Sequence, residues 1–172
     1  MEVSQAIKMK RAVREFSEVA IPDDQLAEVI NAGRRAQSSK NTQPWHFIVV
    51  RDRETLEAMS KLGQFAKQLA GAAAAIVILT PDPAERWSIM FDAGQSAGYM
   101  QLAAWDLGIG TCPVTIYEPE KARELLGFPD DFHVRAVLSM GYPKDIGELT
   151  ASPHKGGRKA LPEVISYDRW GN

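Results

Sequence analysis

Four stretches of this 172-residue chain hold side chains dense enough to do chemistry. The first is basic. Lys8, Lys10, Arg11 and Arg14 crowd into seven positions of a chain whose formal net charge is −2. Arginine forks match phosphate oxygens and lysine adds a point charge. A helix C-terminus favours the same cations with no ligand present, so both readings stand. The second stretch is Ser38-Ser39-Lys40-Asn41-Thr42-Gln43-Pro44-Trp45. Amide and hydroxyl side chains offer paired donors and acceptors that can read the edge of a flat heteroaromatic ring. They also suit a turn with Trp45 as core. The third is Gly156-Gly157-Arg158-Lys159, where a flexible pair of glycines could deliver two cations to an anion or to solvent. The fourth runs from Gly108 and Gly110 through Cys112 to Pro113-Val114-Thr115, a turn that could bring backbone N–H groups close to a ligand.

Other chemistries are poorly served. No G-x-G-x-x-G follows a strand, so the dinucleotide fingerprint fails. The three histidines, His46, His133 and His154, are far apart and form no i, i+4 pair, so no metal site is expected. Cys112, the one cysteine, has no base nearby in sequence and reads as a small buried residue. No acid, base or nucleophile stands out as catalytic.

The elements that must carry these residues follow from periodicity. A short amphipathic face at Val3, Ala6 and Ile7 predicts a first helix. "IPDDQLAEVINAGRRAQ" predicts a second, with Asp23 or Asp24 as N-cap and Leu26, Val29 and Ile30 on one face. "HFIVVRD" predicts a strand. "RETLEAMSKLGQFAKQLA" predicts one long amphipathic helix, with Leu56, Met59, Leu62 and Ala66 in register. "AAAIVILT" lacks polar alternation, so it predicts a central strand covered on both faces. The longest helix falls in "PAERWSIMFDAGQSAGYMQLAAWDLG", where Gly94, Ala97, Gly98, Ala103 and Ala104 allow close approach of another helix. "EPEKARELLGF" is a short helix with Gly127 after it, and "HVRAVLSMGYP" a third strand. The tail is polar but carries Ile165, Tyr167 and Trp170, so it should lie on its own domain or on a partner.

Length favours one domain, residues 1–150, with a C-terminal arm at 151–172. Two helices in some gaps between strands point away from a simple doubly wound repeat. The expectation is an α+β, three-layer α/β/α sandwich. Slight acidity gives no drive toward nucleic acid or anionic lipid. No run is long and apolar enough to span a membrane, and the N-terminus has no secretory h-region. A reducing, cytoplasmic setting fits the single cysteine.

In this order the stretches resemble the FMN-dependent nitroreductase family along nearly the whole chain. Lys10-Arg11-Ala12-Val13-Arg14-Glu15-Phe16 is similar to its basic R-R-S-x-R-x-F signature. Ala36-Gln37-Ser38-Ser39-Lys40-Asn41-Thr42-Gln43-Pro44-Trp45-His46-Phe47 resembles its A-P-S-x-x-N-x-Q-P-W-x-F loop. The small-sided helix with "LAAWDLGIGTCP", the "LLGFPDDFHVRAVLSMGYP" strand and the "GRKALPEVISYDRW" arm are in register with them. The resemblance implies a mixed, mainly antiparallel sheet, and an interlocked homodimer with a swapped C-terminal arm and FMN at the interface. It implies that Lys10, Arg11, Ala12 and Arg14 hold the phosphate and ribityl chain, joined by Arg158 and Lys159. Gln37, Ser38, Ser39 and Asn41 of the other subunit would pack on the ring, with Gln64, Pro113, Val114 and Thr115 as further contacts. Ala12, Lys10 and Gln37 stand where the family has serine, arginine and proline, and the helical excursion of larger members is missing.

The activity so implied is ping-pong transfer of hydride from NADH or NADPH to the flavin, and then to a nitroaromatic, quinone or similar small acceptor. Dehalogenation, enone reduction or flavin reduction on the same scaffold are alternatives, as is a non-catalytic flavin-binding module.

Overall fold

The computed structural model describes residues 2–84, 86–150 and 157–171. Five α-helices and four strands occur among them. They are α1 (Val3–Met9), α2 (Asp23–Arg34), β1 (His46–Val50), α3 (Arg53–Ser60), β2 (Ala74–Thr80), α4 (Ser88–Asp106), β3 (Gly110–Val114), α5 (Pro119–Leu126) and β4 (His133–Gly141). The strands form one sheet in the order β1-β2-β4-β3, antiparallel at every strand pair. The parallel element is a single bridge from Ala12 to Thr111.

All seven residues of β2 are buried, as expected of a central strand without polar alternation. Its side chains alternate between two cores. Ile76 and Ile78 pack with Leu138 and Met140 under α2 and α4, through Leu26, Val29, Ala97, Met100 and Ala104. Ala75, Val77 and Leu79 face the other way, onto Leu56, Met59, Leu69 and Phe128. These are the two outer layers of an α/β/α sandwich.

Local chemistry sets the helix ends. In α2 the N-cap position is Pro22, so neither Asp23 nor Asp24 caps it; both acids sit in the first turn, where the dipole favours them. Asp52 caps α3, accepting from the Thr55 N–H at 2.8 Å and its hydroxyl at 2.6 Å. Pro119 opens α5 and Gly127 closes it in the left-handed region at φ 68°.

Two further expectations need correction. The predicted single helix from Arg53 onward stops at Ser60, and the chain resumes as a 3-10 turn at Lys67–Gly71. The cause is long-range. The Leu62 carbonyl accepts the Tyr117 N–H at 2.8 Å, and Gly63 lies so close to the loop after β3 that an added Cβ would stand 2.4 Å from the Thr115 carbonyl oxygen. The apolar register survives, because Leu56, Met59, Leu62 and Ala66 are all buried. Secondly, the predicted Gly/Pro turn after α4 is strand β3. Gly108, at φ 76°, makes the turn alone. Pro113 is tolerated because β3 is the last strand of the sheet. Its outer side takes the Ala12 bridge and the Val13 N–H, which donates to the Thr111 carbonyl at 3.0 Å. The opposite edge strand, β1, has no neighbour on its outer side among the described residues.

Gly63→Ala should therefore destabilise the fold by about 1–3 kcal/mol, because the clash is with backbone and not with a flexible side chain. Chemical denaturation checks this; unchanged stability would mean that the Gly63–Thr115 approach is not tight.

Candidate functional site

After α1 the chain runs out along the β3 edge, and this sets the basic segment. Val13 is fully buried and packs with Phe16, Ala72 and Trp105, anchoring the segment, while Arg14 on the next position is exposed. Lys10 is half-buried and its ammonium donates to the side-chain carbonyl of Gln101 on α4. Burial lowers the Lys10 pKa from its ordinary 10.5, and the nearby Cys112 opposes this weakly. Arg11 spends one N–H on the Met9 carbonyl at 3.3 Å, and its Nη2 is buried with no protein partner. Ala12 is held by its bridge to Thr111, whose own hydroxyl is buried and unpartnered. A half-buried cation and an orphaned guanidinium nitrogen are costly unless something anionic meets them.

The polar loop before β1 is built differently. Lys40, Asn41 and Gln43 have φ of 54°, 54° and 48°. Such left-handed residues cost roughly 1–3 kcal/mol each at their most strained, and persist where surrounding structure fixes them. Within the loop, Ser38 Oγ accepts the Gln43 N–H at 2.9 Å, and Thr42 Oγ1 donates to the Ser39 carbonyl at 3.0 Å. From outside, three side chains of the 86–95 stretch reach it. Asp92, only 2 % exposed, accepts the Ser39 N–H at 3.2 Å with each carboxylate oxygen. Gln95 donates to the Gln37 carbonyl at 3.3 Å. Arg86 donates to Thr42 Oγ1 at 2.6 Å. The sequence reading missed Asp92. No local pattern marks it, and it reads as one polar residue in a helix notable for its small side chains.

The two regions share one helix but not one location. Asp92 and Gln101 are nine positions apart on α4 (101 − 92), which is about 14 Å at 1.5 Å per residue. The remaining expected residues are scattered. Gln64 is exposed and lines a shallow depression with Lys61, Tyr117 and Glu118. Pro113 and Thr115 are exposed, whereas the Val114 side chain is buried in the layer of Leu56 and Phe128 and faces no open site. Arg158 and Lys159 are exposed on the tail. His154 and Gly156 lie outside the described residues. Cys112 is buried, with Gln68 donating to its sulfur at 3.6 Å. Among the described residues no group of three or more His, Cys, Asp or Glu is placed to hold a metal, and no helix is long and apolar enough to cross a membrane.

The Lys10 environment gives a pH prediction. Its folded pKa lies below its unfolded value, so between the two the unfolded chain binds more protons. Stability therefore rises with pH through that window, up to about 10.5. Lys10→Met should lose that rise while its stability elsewhere tracks the parent protein. Denaturant midpoints from pH 7 to 10.5 measure it; identical pH profiles would mean that Lys10 is solvated.

Comparison with known proteins bears on what this arrangement is. The model of the nitroreductase family matches residues 7–70 and 62–142. A protein of Archaeoglobus fulgidus, which carries the provisional name NADH dehydrogenase/NAD(P)H nitroreductase, is 35 % identical over 178 residues, spanning 98 % of this chain and 99 % of its own. The NADH dehydrogenase of Thermus thermophilus is 25 % identical over 86 % of this chain and 89 % of its own. Among solved structures, the FMN-dependent nitroreductase of Clostridium difficile R20291 superposes with a TM-score of 0.85 at 26 % identity, covering 98 % of this chain and all of that one. With the family model spanning most of the chain, and the same fold recurring in those structures, the protein belongs to the nitroreductase family.

Proposed function

We propose that the protein is a cytoplasmic, FMN-dependent NAD(P)H oxidoreductase of nitroreductase type, working as a homodimer whose sites are each assembled from two chains. One observation carries the reading: the basic segment and the polar loop are fixed to the same helix about 14 Å apart. Two α4 helices crossing antiparallel near Gly94 and Gly98 would bring the Asp92 end of one beside the Gln101 end of the other. Positions 92 and 101 lie nearly symmetrically about that crossing. Several features support it. A Cβ added at Gly94 or Gly98 meets nothing within 4 Å in the single chain, which leaves room for close helix approach. Val3 and Ile7 of α1 and Phe91 of α4 are exposed large apolar residues. So are Leu161, Val164, Tyr167 and Trp170 of the tail, which suits an arm at 151–172 wrapping a partner.

The residues present fit the cofactor. Lys10 and Arg11 offer a half-buried ammonium and an unspent guanidinium nitrogen to a phosphate; Arg14 adds an exposed fork, and Arg158 and Lys159 return from the arm. Ala12 keeps its backbone on β3 and contributes no hydroxyl. Gln37, Ser38, Ser39 and Asn41 of the second chain present amides and hydroxyls to the ring edge. Gln64, Pro113 and Thr115, exposed at separate points of the chain, would add further contacts, and Val114 would contribute from its backbone. FMN, when bound, supplies the hydride chemistry, accepting from NADH or NADPH and passing electrons to a small acceptor such as a nitroaromatic or quinone. The chain's own task is to bind, orient and neutralise charge, so no side chain is assigned as a catalytic acid or base. The FMN dependence named for the Clostridium difficile protein supports the cofactor. The provisional name of the Archaeoglobus relative and that of the Thermus protein support the donor.

Protein purified with its cofactor should be yellow, release about one FMN per chain on denaturation, and bleach on anaerobic mixing with NADH or NADPH. A colourless protein that also takes up no added FMN would overturn the proposal. Gly98→Leu should shift the sedimenting species from dimer to monomer and lower FMN affinity at least tenfold. A monomeric variant that keeps full affinity would place the whole site in one chain.

A further inference from the structure

We infer that Asp92 is a positioning residue that holds the Gln37–Gln43 loop in its working conformation. The inference rests on that loop receiving the flavin, as proposed above. Three observations carry it. The loop places three non-glycine residues, Lys40, Asn41 and Gln43, in the left-handed region within four positions. Such a run is not the resting state of a free polar segment. Its backbone is tied from outside at residue 37 by Gln95 and at residue 39 by Asp92, and its side chain at residue 42 by Arg86. Of these three anchors Asp92 alone is fully buried and charged, and it spends both oxygens on one N–H.

The energetic logic separates Asp92 from its neighbours. Gln95 and Arg86 reach the loop through partly exposed side chains. Exposed hydrogen bonds exchange readily with water and order little. A charge-assisted bond from a buried carboxylate is stronger, and leaving that carboxylate unpaired is costly. The Ser39 N–H thereby pays for burying Asp92, and Asp92 pays the loop back with a fixed register. That register fixes where Ser38, Ser39 and Asn41 stand along the loop. Freed from the tether, the loop would relax toward ordinary φ values and those three residues would lose their fixed positions.

The test uses the full-length holoprotein and three variants. Asp92→Ala removes the acceptor. Asp92→Asn keeps one acceptor oxygen without the charge. Lys40→Gly, added to Asp92→Ala, relieves the left-handed cost by a residue indifferent to it. Asp92→Ala should weaken FMN binding about tenfold or more and alter the visible circular dichroism of the bound flavin. Asp92→Asn should recover most of the affinity, and Lys40→Gly should recover part of it in the Asp92→Ala background. Amide exchange at Ser39, read without FMN, should be slow in the parent protein and at least tenfold faster in Asp92→Ala. Unchanged affinity in folded Asp92→Ala, or equally fast exchange in parent and variant, would overturn the inference. If Asp92→Ala does not fold, Asp92→Asn and the parent's Ser39 exchange decide alone: fast exchange in the parent sinks the tether. Failure of the parent protein to bind FMN would sink the functional proposal while exchange still reports on the tether.

Discussion

Close packing around α4 sets the spacing of this molecule. Met100 is fully buried beneath Gly33 of α2, where an added Cβ would stand 2.2 Å from its terminal methyl carbon. Ala93, Ala97 and Ala104 continue the same face onto the sheet. Interiors packed this closely transmit position rather than absorb it. A helix pinned against both α2 and β2 cannot shift to suit the segments it holds. So Gln101 and Asp92 act as fixed points, and the basic segment and polar loop take their places from the core.

Much of this was legible in the chain. The apolar run of β2, the β-branched β1 and the amphipathic faces of α2 and α3 declare themselves through local periodicity, which physics enforces residue by residue. Pro119 and Gly127 mark α5 because proline and glycine carry their conformational preferences with them. The misreadings share a cause. β3 looked like a turn because Gly110 and Pro113 are poor strand formers, yet an edge strand forgives proline, and Gly110 is required by Val13, whose Cβ would lie 2.6 Å from an added methyl. The long helix after Arg53 was interrupted by the approach of Gly63 to Thr115. Both are decided by residues distant in sequence, where no pattern within a window can reach.

The site divides in the same way. The residue types in the basic segment and the loop announce affinity for anions and flat polar rings. What the types do not announce is support. Asp92 lies 53 positions from the amide it accepts, and the left-handed backbone at Lys40, Asn41 and Gln43 is unusual for residues with side chains. The exposed apolar residues of the tail were visible as a surplus, apolar side chains without a core of their own, and the structure leaves them exposed.

The bare outer edge of β1 has a consequence for how the molecule behaves in a crowd. An unpaired strand edge is a template for any other extended chain, and proteins limit the hazard by keeping edges short and flanking them with proline or charge. Here the edge is five residues long, with Pro44 before it and Arg51, Asp52 and Arg53 after it. A short edge flanked in this way is a poor template for a growing stack. Resistance of this edge to strand addition thus falls to the few residues that flank it.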